Sequence, residues 1–131
     1  MYTAIVLTEA SKKELRDKID DFVPLNWIEV MDHHTINLGP VLEEHKPFLG
    51  KKFTLILKDI GFSTKAVAVS VVCDEIKSQN KIPHITLATN PVVGGKPKDS
   101  NDIEDWLSLK PFFPANEFLT VEGILTEVQH G

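Results

Sequence analysis

The sequence predicts an α+β domain, mainly antiparallel sheet with two or three helices, in which residues 1–131 form one unit. Three observations carry this. The chain of 131 residues is 42% hydrophobic, enough to bury a core of its own without staples. Its β-branched runs follow one another with few helical stretches between them, an order that favours antiparallel pairing. No repeat of 20–50 residues, low-complexity tract or interdomain linker divides it.

Residues 2–8 form a β-branched apolar run that reads as the first strand. Ser11 with Glu14 three positions later offers a capping box for a helix through about Phe22. Residues 23–26, with Pro24, break that helix. Residues 27–38 alternate as one strand, placing Ile28, Val30, His34, Ile36 and Leu38 on a packing face and Trp27, Glu29, Met31, His33, Thr35 and Asn37 on the other. Gly39-Pro40 ends it, residues 41–50 make a connection or one helical turn, and residues 52–60 resume a strand pattern. Asp59-Ile60-Gly61 reads as a turn, residues 65–73 as a buried strand, 74–81 as a polar connection and 82–89 as a further strand. Residues 91–99, with Gly94-Gly95 and two prolines, read as an irregular loop, and Ser100 as the cap of a short helix holding Asp102, Ile103, Glu104, Trp106 and Leu107. Pro111 and Pro114 confine a loop, and residues 118–129 close the chain as a strand with Phe118, Thr120, Glu122, Ile124, Thr126 and Val128 on one face.

Nineteen Asp and Glu against fourteen Lys and Arg give a formal net charge of -5, whereas proteins that grip long duplexes by phosphate neutralisation usually carry a strongly basic face. A long duplex partner is therefore not expected, but a small phosphorylated ligand or one RNA end needs only a local donor cluster. The start of the chain lacks the basic and apolar regions of a secretory signal, no apolar run reaches membrane-spanning length, and Cys73 is a lone thiol. The expectation is a cytoplasmic monomer without membrane contact.

Two of the five histidines share a pattern. His33-His34-Thr35-Ile36 and His84-Ile85-Thr86-Leu87 both read His-x-Thr-apolar within predicted strands. In a strand, residues i and i+2 project from one face, so each motif sets an imidazole beside a hydroxyl roughly 6–7 Å away along the backbone. One such pair in a strand is ordinarily an exposed polar pair. Two facing pairs would supply what metal-free phosphodiester cleavage requires: one imidazole to take a proton, one to give a proton, and neutral donors for the phosphoryl oxygens.

The paired motif resembles the 2H phosphoesterase superfamily, the LigT-like enzymes with two His-x-Thr/Ser signatures facing across a cleft between two lobes. The first strand Tyr2-Thr3-Ala4-Ile5-Val6-Leu7, the helix after Ser11, the segment Asp32-His33-His34-Thr35-Ile36-Asn37-Leu38-Gly39, and Pro83-His84-Ile85-Thr86-Leu87 followed by Gly95-Lys96-Pro97-Lys98-Asp99-Ser100-Asn101 look like a compact branch. That branch is related to the phosphodiesterase parts of fungal-type tRNA ligases and to Swiss-army-knife RNA-repair-like proteins. The resemblance covers nearly the whole chain. It implies a bilobal fold around a central cleft, general acid and base roles for His33 and His84, and phosphate binding by Thr35 and Thr86. Phase favours His33 over His34 in the first motif, since His34 falls on the packing face. The sequence lacks the length and the arginine-rich cleft of larger members.

Lys96 and Lys98 join the expected substrate-binding set, because the loop Gly94-Gly95-Lys96-Pro97-Lys98 follows the second motif and its amides and ammonium groups could cover a phosphate. Trp27, Met31 or Phe113 could stack on a base, although aromatic residues in a small domain usually belong to the core. A metal set of Asp32, His33, His34 and His84 is disfavoured, since adjacent strand residues point to opposite faces; no metal and no cofactor is expected. His45 and His130 have no pattern around them, and Cys73 has no histidine partner in sequence. The expected function is opening of a 2′,3′-cyclic phosphate on a nucleotide or RNA end. The alternatives are cleavage of a 3′-5′ or 2′-5′ linkage and a nucleotide-binding module with little or no turnover.

Overall fold

In a computed structural model that describes residues 1–117 and 119–129, six strands close on one another. They are β1 (Tyr2–Leu7), β3 (His33–Leu38), β4 (Lys52–Phe62), β5 (Ala66–Val72), β6 (His84–Thr89) and β8 (Thr120–Val128). Their order β6-β3-β1-β8-β4-β5 returns to β6 through a β5–β6 pairing, which makes a closed barrel. The short β2 (Ile28–Glu29) pairs with β6, and β7 (Asp105–Ser108) pairs with β4. Every pairing among these strands is antiparallel. One α-helix, α1 (Glu9–Ile19), and two six-residue 3₁₀ helices, Glu43–Phe48 and Pro97–Asp102, accompany them. The α+β class with antiparallel sheet is therefore present. No helix among the described residues is long and apolar enough to cross a membrane.

Alternation sorts the strands. Ile5, Leu7, Ile36, Leu55, Leu57, Val67, Val69, Ile85, Leu87, Val121 and Leu125 meet in one buried cluster, joined by Leu15 and Ile19 of α1. A second, smaller cluster of Ala66, Ala68, Ile103 and Trp106 seals the segment after β6 against β5.

Five local expectations are corrected. Thr8, not Ser11, caps α1: its Oγ1 accepts from the Ser11 N–H, while Ser11 is buried inside the helix and its Oγ accepts from the Glu122 N–H at 2.8 Å. The strand expected over 27–38 is broken into β2 and β3 by Met31, whose φ of 42° is left-handed. The break and a bulge in β3 undo the expected phase, so Ile28 and Leu38 are exposed while Met31 and Asn37 are buried. Asp59-Ile60-Gly61 is not a turn, because β4 runs through it to Phe62. A Cβ on Gly61 would lie 2.6 Å from the Trp106 ring, so this glycine serves close packing inside a strand. Finally, the helix expected over 100–107 is the end of a 3₁₀ segment followed by β7, since pairing with residues 59–62 of β4 overrides the local helical pattern. Phe118 and His130 lie outside the described residues.

Candidate functional site

Both His-x-Thr pairs open onto one pocket of about 430 Å³, lined by Tyr2, Val30, His33, Thr35, Leu38, Asn80, His84, Thr86, Pro97, Lys98 and Asn101. Strand alternation explains this. His34, Ile36, Ile85 and Leu87 point to the buried side of β3 and β6, so His33, Thr35, His84 and Thr86 share the opposite face. The two strands meet through the register pair His34↔Ile85, which sets the motifs side by side. The left-handed turn at Met31 lets the chain pass from β2 into β3 while both remain against β6, with the Val30 N–H on the Leu87 carbonyl and the Met31 N–H on the Thr86 carbonyl.

Each imidazole is anchored through Nδ1. His84 Nδ1 lies 2.7 Å from the Ile82 carbonyl oxygen, which can only accept, so Nδ1 carries the proton and Nε2 is left for the pocket. His33 Nδ1 lies 3.0 Å from Asp32 Oδ2, and Asp32 Oδ1 lies 3.0 Å from Lys12 Nζ on α1. Partial burial alone would raise the Asp32 carboxyl, but Lys12 and His33 hold it below the usual carboxylate range. The ionised carboxylate accepts the His33 Nδ1 proton, again leaving Nε2. Tyr2 packs its ring against His33 with 5.0 Å between centroids. Burial pushes the His84 imidazole below its ordinary value, and repulsion from His33 adds to this against the opposing bond to Ile82.

The hydroxyls differ in their surroundings. Thr86 is buried, with Oγ1 2.8 Å from Ser100 Oγ and 3.3 Å from the Pro97 carbonyl, so the 97–102 segment lies directly over it. Thr35 is only half-buried, and its carbonyl accepts from Ser78 Oγ at 2.7 Å, which docks the 78–81 connection beside β3. His34, as its phase requires, is a buried core residue; burial drives it down to about 4, and its Nδ1 has no hydrogen-bond partner.

Of the two expected lysines, Lys98 lines the pocket and Lys96 does not. The glycine loop does not turn its amides toward the pocket. The Gly94 N–H bonds to the Pro91 carbonyl, the Gly95 N–H to the Asn90 carbonyl, and the Lys96 N–H to Asp99 Oδ2. A Cβ on Gly95 would lie 2.3 Å from the Lys65 carbonyl oxygen, so the loop is packed against the start of β5. Met31 is in the core, and Trp27 and Phe113 pack against it; the aromatic ring in the pocket is Tyr2. Among the described residues, no three His, Cys, Asp or Glu side chains are grouped to hold a metal ion.

Sequence reasoning passed over Asp32 as a partner of His33, and Lys12, Tyr2, Asn80 and Asn101 as neighbours. The Asp32-His33 adjacency was the one available signal. The chain matches no protein-family model and no curated protein sequence.

Proposed function

We propose that this protein is a metal-independent 2H-type phosphodiesterase acting on a nucleotide or RNA-end phosphodiester, with opening of a 2′,3′-cyclic phosphate as the favoured reaction. The observation that carries the reading is the convergence of His33, Thr35, His84 and Thr86 on one pocket, with both Nδ1 atoms tied and both Nε2 atoms left to act. General acid–base catalysis requires two such groups, one neutral and one protonated. Among the described residues, the lining includes Lys98 and no Asp or Glu, which suits an anion. In this scheme a water attacks phosphorus, one histidine takes its proton, and the other protonates the departing ribose oxygen as the P–O bond breaks. Thr35 and Thr86 bond to the phosphoryl oxygens.

The two-lobed architecture is part of the same proposal, with the β3–β6 seam as the line between lobes. So are action in the cytoplasm as a monomer and a role on small nucleotide substrates, such as RNA-repair ends. The engagement of the Thr86 hydroxyl by Ser100 favours a second reading, a nucleotide-binding module without turnover.

The deciding experiment is hydrolysis of 2′,3′-cyclic mononucleotides, 3′,5′-cyclic nucleotides and short 3′-5′ and 2′-5′ oligonucleotides in chelator, with wild type beside His33→Ala and His84→Ala. Turnover lost in both variants supports the two-histidine reading, and the member cleaved identifies the bond. Loss in chelator with recovery on adding a divalent ion overturns the metal-free mechanism. Binding without turnover of any member selects the module.

A further inference from the structure

The two histidines are equivalent in motif but not in support, and this deepens the phosphodiesterase reading, on which it rests. His33 has a carboxylate on Nδ1, and that carboxylate is itself oriented by Lys12 from α1. His84 has a backbone carbonyl in the same place, in more buried surroundings. A positive charge on His33 therefore has a counter-ion 3.0 Å away, whereas a positive charge on His84 has only a dipole. We infer that Asp32 is a positioning residue that makes His33 the proton donor and leaves His84 as the base.

The charge arrangement around the pair agrees. His33 meets Asp32 in its own segment and Tyr2 of β1, and shares the pocket lining with His84 of β6 and Lys98 of the covering segment, while Lys12 bonds to Asp32. Among the described residues, the hydrogen-bonded partner of the His33 ring is the Asp32 carboxylate and that of the His84 ring is the neutral Ile82 carbonyl. Burial and repulsion from His33 both favour the neutral form of His84. For a 2′,3′-cyclic phosphate, water loses its proton to His84 Nε2 as its oxygen bonds to phosphorus. The P–O3′ bond breaks, O3′ takes the proton from His33 Nε2, and a 2′-phosphomonoester remains. The second proton of the cycle is returned by exchange with solvent, and neither Nδ1 proton moves.

The assignment is tested by leaving-group dependence. A nucleoside p-nitrophenyl phosphodiester expels an anion that needs no proton, so it bypasses a missing acid but not a missing base. The expected result is that Asp32→Asn and His33→Ala lose at least about tenfold more kcat/KM on the cyclic phosphate than on the nitrophenyl ester. His84→Ala loses activity on both. Asp32→Glu, which keeps a carboxylate, recovers part of the loss on the cyclic phosphate. A second readout needs no turnover: in two-bond ¹H–¹⁵N spectra of the neutral rings, both histidines are Nδ1–H tautomers, and Asp32→Asn shifts His33 toward Nε2–H while His84 is unchanged. Equal loss on both substrates in Asp32→Asn, or rescue of His84→Ala instead of His33→Ala, overturns the assignment and leaves the phosphodiesterase reading standing. Wild type inactive on every substrate overturns that reading and the assignment with it.

Discussion

The hydroxyl oxygens of Thr86 and Ser100 lie 2.8 Å apart, both buried, and tie the second histidine strand to the segment that covers it. Ser100→Ala leaves Thr86 Oγ1 with only the longer contact to Pro97. The loss of one buried hydrogen bond is expected to destabilise the fold by about 1–2 kcal/mol, checked by denaturant unfolding. Thr86 then loses its fixed orientation, and KM for any phosphorylated substrate rises more than kcat falls.

The acid limb of kcat/KM reports the histidine that must be neutral. With His84 in that role, burial places the limb below the ordinary histidine midpoint of 6.5, so activity persists further into acid than an exposed imidazole would allow. A profile of initial rates from pH 4 to 9 checks this, and an acid limb above 6.5 contradicts it.

His34 makes stability depend on pH. Its folded midpoint of about 4 lies below the unfolded 6.5, so the unfolded chain binds the extra proton between these values. Stability is full above about pH 6.5 and falls as pH drops toward 4, by up to about 3 kcal/mol from this group. His34→Leu is expected to flatten that part of the pH–stability curve, measured by urea midpoints at pH 7, 5.5 and 4.5.

Gly61→Ala places a methyl group 2.6 Å from the Trp106 ring. Either β7 lifts from β4 or the strand bends, at a cost of about 1–3 kcal/mol. A lower thermal midpoint with a red-shifted tryptophan emission is the expected signature.

Lys98 is among the residues that line the pocket. Lys98→Ala is expected to raise KM several-fold with little change in kcat, and to weaken the salt dependence of kcat/KM.

Much of the site was legible because strand alternation is a short-range rule. His33 and Thr35 share a face, as do His84 and Thr86, and His34 goes to the core, all from period two alone. Asp32 escaped the same rule. Adjacent residues inside a strand diverge, but Asp32 precedes β3, where the chain is leaving the left-handed turn at Met31, and its carboxylate can return to His33 Nδ1. The barrel's closure was not readable, because the β5–β6 and β4–β8 pairings join segments by sheet register and not by any local pattern. Gly61 was misread for a related reason: Asp-Ile-Gly carries turn chemistry by itself, and the ring that explains the glycine comes from Trp106, far along the chain.

The single register pair between β3 and β6 has a consequence for the proposed two-histidine chemistry. His33 and His84 are 51 positions apart, on strands that are neighbours in the sheet but not in the sequence. An amino-terminal fragment cut in the 74–81 connection would hold one imidazole and its carboxylate, the remainder the other imidazole and its carbonyl, and neither would be competent. Two such fragments mixed together would regain function only on reassembling the ring, so complementation between them would read out closure of the barrel directly.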